Sequence, residues 1–301
     1  MQGSDRTRLL PAALATLSCW QGPITAAPLL GGLSNESWKV TDDRGPHVAR
    51  LGRDFPFHHV DRQREVMTAR AAHAAGFGPL VEHVEPGIMV VEFLQARTWG
   101  PDDLRADPTR VGHLLRRFHD EMPAQITGAA FLFWPFHVIR DYARTIRNGA
   151  SPFTTDLPAL LTLSAELEAA QVPLPLIFGH HDLLPANFLE DGQRLWLIDY
   201  EYAGYGTALF DLAGAASNAG MSPAETDALL RAYFGETPDA ALRRAFDAMQ
   251  CASLLREAMW AMVSDIHLAA PGADYRSYAR ENLDKLDAAL THYRTQHGTR
   301  K

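Results

Sequence analysis

The amino-acid sequence predicts an α+β protein with two lobes, a small β-rich lobe at residues 1–95 and a larger helical lobe at residues 96–301. In the first lobe, turn residues such as Pro86 and Gly87 separate short runs of alternating apolar residues, which is typical of hairpins. Beyond residue 101, apolar residues recur every three or four positions, the spacing of amphipathic helices. The chain of 301 residues, 47% of them hydrophobic, can bury a sizeable core.

The first lobe begins with an amphipathic helix predicted at about residues 7–20, because the apolar residues at positions 9, 10, 13, 14 and 17 fall on one helical face. The other elements predicted here are strands at residues 24–30, 36–41 and 47–51, a helix at 59–75, and a hairpin formed by 81–84 and 88–94. Arg50 therefore lies on the third strand and Glu65 on the helix that follows it.

The second lobe is predicted to be helical almost throughout. Helices are expected at residues 109–122, 136–147, 157–170, 207–219, 223–234, 239–268 and 275–297. The run at 97–101, which ends in glycine and proline, is expected to be the linker between the lobes.

A polar loop interrupts these helices and carries the residues best suited to chemistry. Asp182 and Asn187 lie five residues apart in a short turn marked by Pro185, and a β-rich run then delivers Asp199 at its end. A carboxylate base, a neutral oxygen ligand and an anionic oxygen ligand in this order can act on a nucleotide phosphate with magnesium. Each residue alone is also compatible with a capped turn, so the prediction depends on the three together.

A glycine turn between the first two strands is the second candidate feature. Gly31, Gly32, Ser34 and Asn35 could let backbone N–H groups approach phosphate oxygens, or they could simply close a hairpin. Both interpretations remain open for this segment alone. The turn is not a Walker loop, because the chain contains no GxxxxGK[ST] motif.

Charge and cysteine content exclude several classes of protein. A formal net charge of −8 argues against nucleic acid as the main partner. The two cysteines form no CxxC pair, so neither a disulfide framework nor a cysteine zinc site is expected. No apolar run reaches transmembrane length, and the expected protein is cytoplasmic with no membrane insertion.

Other chemistries fit the motifs less well. Gly204 and Gly206 lie between a strand and a helix, but the third glycine of a dinucleotide fingerprint is missing. His180, His181 and Asp182 are adjacent on a loop, an arrangement that rarely converges on one metal ion. The chain has no GxSxG motif for a nucleophilic serine.

The order of these features resembles the protein-kinase-like fold, and within it the choline/ethanolamine kinase family, with aminoglycoside phosphotransferases as more distant relatives. The motifs that carry the resemblance are Gly-Gly-Leu-Ser-Asn at 31–35, His-x-Asp-Leu-x-x-x-Asn-Phe-Leu at 180–189, Leu-Ile-Asp-Tyr-Glu-Tyr-Ala-Gly at 197–204 and Phe-Asp-Leu-Ala at 210–213. The resemblance extends over roughly residues 28 to 290.

The resemblance implies a role for each matching residue. Asp182 would accept the proton of the substrate hydroxyl, and Asn187 and Asp199 would hold magnesium against the phosphates of ATP. Arg50 stands where protein kinases carry a lysine, and Glu65 would be its ion-pair partner. The alternative for these last two residues is a surface salt bridge without a role in catalysis.

The resemblance also assigns the nucleotide cofactor a set of contacts. The glycine turn with Gly31, Gly32, Ser34 and Asn35 would lie beside the phosphates. Glu92 and Leu94 would form the hinge beside adenine, and His180 and Asp211 would hold the catalytic loop.

The acceptor implied by the resemblance is a small amino alcohol such as choline or ethanolamine. Tyr202, Glu201, Trp260 and Asn218 are the residues expected on the acceptor side. Val263 replaces the second tryptophan of the family's late helix, so a differently shaped amine also fits. Thiamine, an aminoglycoside or another amino alcohol therefore remain open as acceptors, and a non-catalytic nucleotide-binding module is the further alternative.

Overall fold

A computed structural model gives the structure of residues 11–29, 35–268 and 273–298. It has an antiparallel sheet in its first part and a larger helical part after it, so the prediction of an α+β fold with two lobes is confirmed. The predicted boundary at residues 95 and 96 stays a prediction. Within the described ranges, no helix is both long and apolar enough to span a membrane.

The first lobe is built on a five-stranded sheet in the order β1-β2-β3-β5-β4. Its strands are β1 (Thr25–Leu29), β2 (Glu36–Asp42), β3 (Gly45–Leu51), β4 (Val81–Glu85) and β5 (Ile88–Glu92), and every neighbouring pair is antiparallel. Trp38, Val40, Ala49 and Val90 form a buried apolar cluster with Leu14 and Leu17. Because neighbouring side chains on a strand point to opposite faces, Arg50 projects from the face opposite Ala49.

The opening helix is shorter than expected. Within the described residues it is only α1 (Ala12–Ala15), and residues 7–10 of the predicted helix lie outside the described ranges. The prediction that the helix reaches Trp20 is wrong. The chain turns back instead, and the Trp20 indole N–H donates to the Leu14 carbonyl at 2.6 Å.

A longer helix of the first lobe, α2 (Arg62–Ala74), carries Glu65. Asp61 caps its start, since the Asp61 carboxylate accepts the Arg64 backbone N–H at 2.8 Å. Glu65 lies in the first turn, where a negative charge is favoured by the helix dipole. The cap fixes where the helix begins and thereby which residue faces Arg50.

Among the described residues, the second lobe contains the seven helices expected from the apolar spacing and one short helix more. They are α3 (Pro101–Ala106), α4 (Pro108–Glu121), α5 (Pro135–Asn148), α6 (Leu157–Glu168), α7 (Ala208–Ala219), α8 (Pro223–Phe234), α9 (Ala240–His267) and α10 (Tyr275–His297). Only α3 lies where no helix was expected. The central helix α9 packs against α5, α6, α7 and α10, so one apolar core runs through the lobe.

Two small sheets hold the polar loop between the helices. One pairs β7 (Ile177–Gly179) with β10 (Gly204–Gly206), and the other joins β6 (Arg97–Thr98), β8 (Phe188–Glu190) and β9 (Leu195–Leu197) in the order β6-β8-β9. The linker expected at residues 97–101 is thus attached to the helical lobe. Trp99 is buried and stacks on Phe188, so this segment is part of the helical lobe.

Close contact between α4 and α8 gives a test of the packing. A Cβ at Gly112 would lie 2.6 Å from the Leu229 carbonyl oxygen, whereas a Cβ at Gly214 of α7 would meet no atom within 4 Å. We expect Gly112→Ala to lower the free energy of unfolding by about 1–3 kcal/mol. Gly214→Ala, the matched control, should raise it by about 0.5–1 kcal/mol through helix propensity. Urea unfolding measures both, and equal effects would contradict the prediction.

Candidate active site

The polar loop is held from the side by α7. His181 has a left-handed backbone with φ of 63°, a conformation that costs energy unless its surroundings fix it. The carboxylate of Asp211 supplies that fixation, because it accepts the backbone N–H groups of His180 at 2.8 Å and His181 at 2.7 Å. The position of the loop therefore depends on one carboxylate, as expected for Asp211.

Asp211 is buried and remains charged. Burial acts to raise the pKa of its carboxyl, but His181 and the His119 hydrogen bond outweigh burial, and the pKa lies well below its usual range. His119 Nε2 lies 2.8 Å from the Asp211 carboxylate, and His119 Nδ1 lies 2.8 Å from the Tyr233 hydroxyl. The anion is thus compensated within the core.

Asp182 and Asn187 form one hydrogen-bonded unit. The Asn187 amide group donates to the Asp182 carbonyl at 2.7 Å and lies 3.5 Å from the Asp182 carboxylate. The backbone carbonyl of Asn187 accepts the Ile198 backbone N–H at 3.1 Å, which connects the loop to the residue before Asp199. Since its amide nitrogen is already used, Asn187 has its side-chain oxygen left as a ligand atom.

Asp199 follows β9 and also has a left-handed backbone, with φ of 71°. Its carboxylate lies 2.5 Å from Arg50 Nη2. Burial acts to raise the pKa of Asp199, but the charge and hydrogen bond of Arg50 outweigh burial and lower it. The side chain is therefore an ionised oxygen donor at neutral pH.

Arg50 also contacts the helix of the first lobe. Its Nη1 lies 3.2 Å from Glu65 Oε1, an ion pair without hydrogen-bond geometry, so the pairing expected from the sequence is present. Both side chains are largely buried, with 15% of Arg50 and 4% of Glu65 exposed. Such a pair is more constrained than the surface salt bridge considered as its alternative.

A second arginine, which sequence reasoning missed, extends this network. Arg62 Nη1 lies 2.5 Å from Glu65 and 3.0 Å from Glu201. Glu201 also accepts a hydrogen bond from the Asn35 amide at 3.1 Å. Glu201, expected on the acceptor side, thus lies in the charge network between the lobes. The pairing of Arg62 with Glu65 could have been predicted from the sequence, because Arg62 lies one helical turn before Glu65.

The oxygen donors of this site match the preference of magnesium. Asp182, Asn187 and Asp199 offer carboxylate and amide oxygens, which are hard ligands suited to Mg²⁺. Among the described residues, no three His, Cys, Asp or Glu side chains gather into a metal cluster.

The other expected nucleotide contacts lie at the end of β5 and just after it, or outside the described ranges. Glu92 ends β5 and its backbone N–H donates to the Leu80 carbonyl at 2.9 Å, while the Leu94 carbonyl accepts the Ala96 N–H at 2.9 Å. Gly31, Gly32 and Ser34 belong to the segment that is not described.

A small cleft, which we name the loop cleft, opens beside Asp182. Asp182, Ser217, Asn218, Arg256, Glu257 and Asn282 are among the residues that line it. Asn218 also holds the loop, because its amide donates to the Leu183 carbonyl at 3.1 Å. Sequence reasoning assigned no role to Arg256 or Glu257.

The two aromatic residues expected at the acceptor are buried beside this cleft. The Trp260 indole N–H donates to the Tyr202 hydroxyl at 2.9 Å. Only 7% of Trp260 and 5% of Tyr202 is exposed. The structure therefore brings these two side chains together, with little of either surface accessible.

Asp182 itself is half-buried among other charges. Burial raises the pKa of the Asp182 carboxyl well above its usual range, and Asp199 raises it further. The guanidinium of Arg256 opposes this shift. A carboxylate with a raised pKa binds a proton more strongly, as a general base must.

Comparisons with known proteins agree with this geometry. A model of the phosphotransferase enzyme family matches residues 25–250. The chain is 25% identical over 295 residues to probable choline kinase 2 of Arabidopsis thaliana, covering 86% of this chain and 83% of that protein. It is 28% identical over 203 residues to a probable ethanolamine kinase of the same plant, covering 60% and 53% of the two chains.

A solved structure shows the same likeness over the whole chain. A choline/ethanolamine kinase family protein from Mesorhizobium loti superposes with a TM-score of 0.75 at 27% identity, covering 95% of this chain and 97% of the other. The resemblance inferred from the motifs is therefore confirmed.

The raised pKa of Asp182 has a consequence for stability. Because the folded state favours the protonated carboxyl, ionisation at neutral pH costs about 1.4 kcal/mol of folding free energy for each unit of the shift. Asp182→Asn removes this cost, so we expect the variant to be more stable than the parent at pH 7. The gain should vanish below about pH 4, where Asp182 is protonated in both states.

Asp211→Asn is the matched control with the opposite sign. Its lowered pKa contributes stability that is present above about pH 4 and lost as the pH falls through the folded value, so this variant should be less stable at neutral pH. Urea unfolding at several pH values measures both. An Asp182→Asn variant no more stable than the parent at pH 7 would contradict the expectation.

Proposed function

The chain belongs to the phosphotransferase enzyme family, and on that premise we propose that it transfers the γ-phosphoryl group of ATP to the hydroxyl of a small amino alcohol. Its relatives identify it as a small-molecule kinase of the choline/ethanolamine kinase type. The observation that carries the proposal is the meeting of Arg50, from the sheet, with Asp199, next to the loop that holds Asp182 and Asn187.

Asp182 acts as the general base in this proposal. It accepts the proton of the acceptor hydroxyl as the oxygen attacks the γ-phosphorus. Its raised pKa supports the role, because it brings the base closer to the pH at which it works. Asn187 holds the backbone of Asp182, and Asp211 holds the two residues before it, so the base is positioned before substrate arrives.

In this proposal, the arginine network neutralises the negative charge of the ATP phosphates. Arg50 stabilises the phosphate charge, and Glu65 fixes the direction of its guanidinium. Gly31, Gly32, Ser34 and Asn35 provide donors beside the phosphates. Magnesium, when held by Asn187 and Asp199, would add positive charge at the phosphate oxygens.

The remaining proposed contacts are those with the adenine of ATP and those with the acceptor. Glu92 and Leu94 lie beside adenine, where the sheet continues into the helical lobe. Tyr202, Trp260 and Asn218 shape the acceptor side in this proposal, whereas Glu201 pairs with Arg62 in the charge network between the lobes.

Substrate specificity gives the first test of this function. In an ADP-release assay with magnesium, we expect turnover with one or more small amino alcohols and little with kanamycin or thiamine. The loop cleft is small, so a bulky acceptor would not bring its hydroxyl to Asp182. Turnover with kanamycin or thiamine alone would replace the proposed acceptor class, and no turnover with any alcohol would refute the kinase.

Removal of the base gives the second test. We expect Asp182→Asn to lower kcat by about a thousandfold, because general-base catalysis contributes about 10²–10⁴ to the rate. The Kd for ATP should stay within a factor of about three, since only the base is lost. Asp120→Asn, on the exposed face of α4, is the control. Activity of Asp182→Asn near that of the control would exclude Asp182 as the base.

A further inference from the structure

Arg256 is a buried arginine of α9 whose hydrogen-bonding capacity is only partly used. Only 5% of the residue is exposed. Its Nη1 lies 3.1 Å from Glu257 Oε2, but its Nε is buried without a hydrogen-bond partner among the described residues. Arginine stays charged in proteins, and a buried donor without an acceptor is costly. An acceptor supplied from outside the chain would remove that cost.

The place of Arg256 limits what this acceptor can be. Arg256 lines the loop cleft together with Asp182, Asn218, Glu257 and Asn282. A molecule that brings its hydroxyl to Asp182 therefore lies in the same small cleft as the guanidinium. Arg256 is close enough to Asp182 for its charge to act on that carboxyl.

The aromatic rings near the cleft are already engaged by the protein itself. The guanidinium carbon of Arg256 lies 5.4 Å from the centre of the Tyr202 ring. The Trp260 ring stacks on His58 at 5.1 Å, with an interplanar angle of 21°. A quaternary ammonium is recognised by open ring faces, and these two buried rings leave little surface for one.

Glu257 places a negative charge beside the positive one. One of its carboxylate oxygens pairs with Arg256, and the other accepts the Tyr278 hydroxyl at 2.9 Å. The side chain remains 27% exposed, so it can also accept N–H groups from a primary ammonium. The cleft thus offers a fixed cation and a fixed anion next to Asp182.

We propose that, if the proposed function holds, the acceptor is an amino alcohol that also carries a carboxylate, as in a hydroxy amino acid. The carboxylate accepts from the unused Nε edge of Arg256, the ammonium contacts Glu257, and the hydroxyl lies at Asp182. In the transfer, the hydroxyl oxygen bonds to the γ-phosphorus, the bond from that phosphorus to the β,γ-bridging oxygen breaks, the proton goes to Asp182, and ADP leaves.

Matched ligands test the inference on the parent protein. Serine and homoserine each differ from ethanolamine and 3-aminopropanol, respectively, by one carboxylate. In calorimetric titrations with magnesium and ADP present, we expect at least one carboxylated compound to bind at least about tenfold more tightly than its partner, as charged hydrogen bonds allow. If neither carboxylated compound is preferred, or if no compound binds, the inference fails.

Variants of Arg256 connect the preference to this side chain. Arg256→Gln should reduce the preference for the carboxylated compound at least about tenfold while changing little the Kd of its partner without the carboxylate. Arg256→Lys, which keeps the charge but loses the planar pair of donors, should retain part of it. Arg243→Gln is the control, because it removes another arginine of α9, one that pairs with Asp227 of α8.

The outcomes separate this inference from the proposed function. An unchanged preference in a folded Arg256→Gln variant would mean that water alone satisfies Nε, and would overturn the inference. Tight binding of serine or homoserine without ADP release from ATP would refute the kinase and leave the binding site. ADP release with ethanolamine or choline and no carboxylate preference would keep the kinase and reject the carboxylate.

Discussion

The rest of the site depends on the hydrogen bonds that the backbone N–H groups of His180 and His181 donate to the Asp211 carboxylate. Two N–H groups and two imidazole rings surround one buried carboxylate. A charge in a protein interior is tolerated only when it is paired and hydrogen-bonded in this way. The loop can therefore hold a strained left-handed residue at 181 and present Asp182 in a fixed direction.

Ion pairs between charged side chains also connect the two lobes. Arg50 and Arg62 come from the sheet lobe, whereas Asp199 and Glu201 come from the helical lobe, with Glu65 between the two arginines. Three carboxylates close together would repel one another without these guanidinium groups. The same positive groups are what the phosphates of a nucleotide require, so the network serves both the fold and the proposed reaction.

Local patterns in the sequence predicted most of the helices and strands and the spacing within the polar loop, because helical periodicity and a turn of five residues are local properties. They did not predict that Arg62 pairs with Glu201, since 139 residues separate the two and only the closed fold brings them together. Glycine and proline at 100 and 101 suggested a linker, but the proline begins α3 and the preceding tryptophan is buried. The sequence also did not predict that Arg256 is buried, because a charged residue in a helix is usually exposed.

The attachment of residues 97–99 to the helical lobe has a mechanical consequence. Arg97 pairs with Asp103 and Glu190, the Trp99 indole N–H donates to Glu190 at 3.0 Å, and β6 lies beside β8. The chain is therefore anchored almost immediately after it leaves β5. Only residues 93–96 lie between β5 and β6, so the backbone connection between the five-stranded sheet and the helical lobe is four residues long.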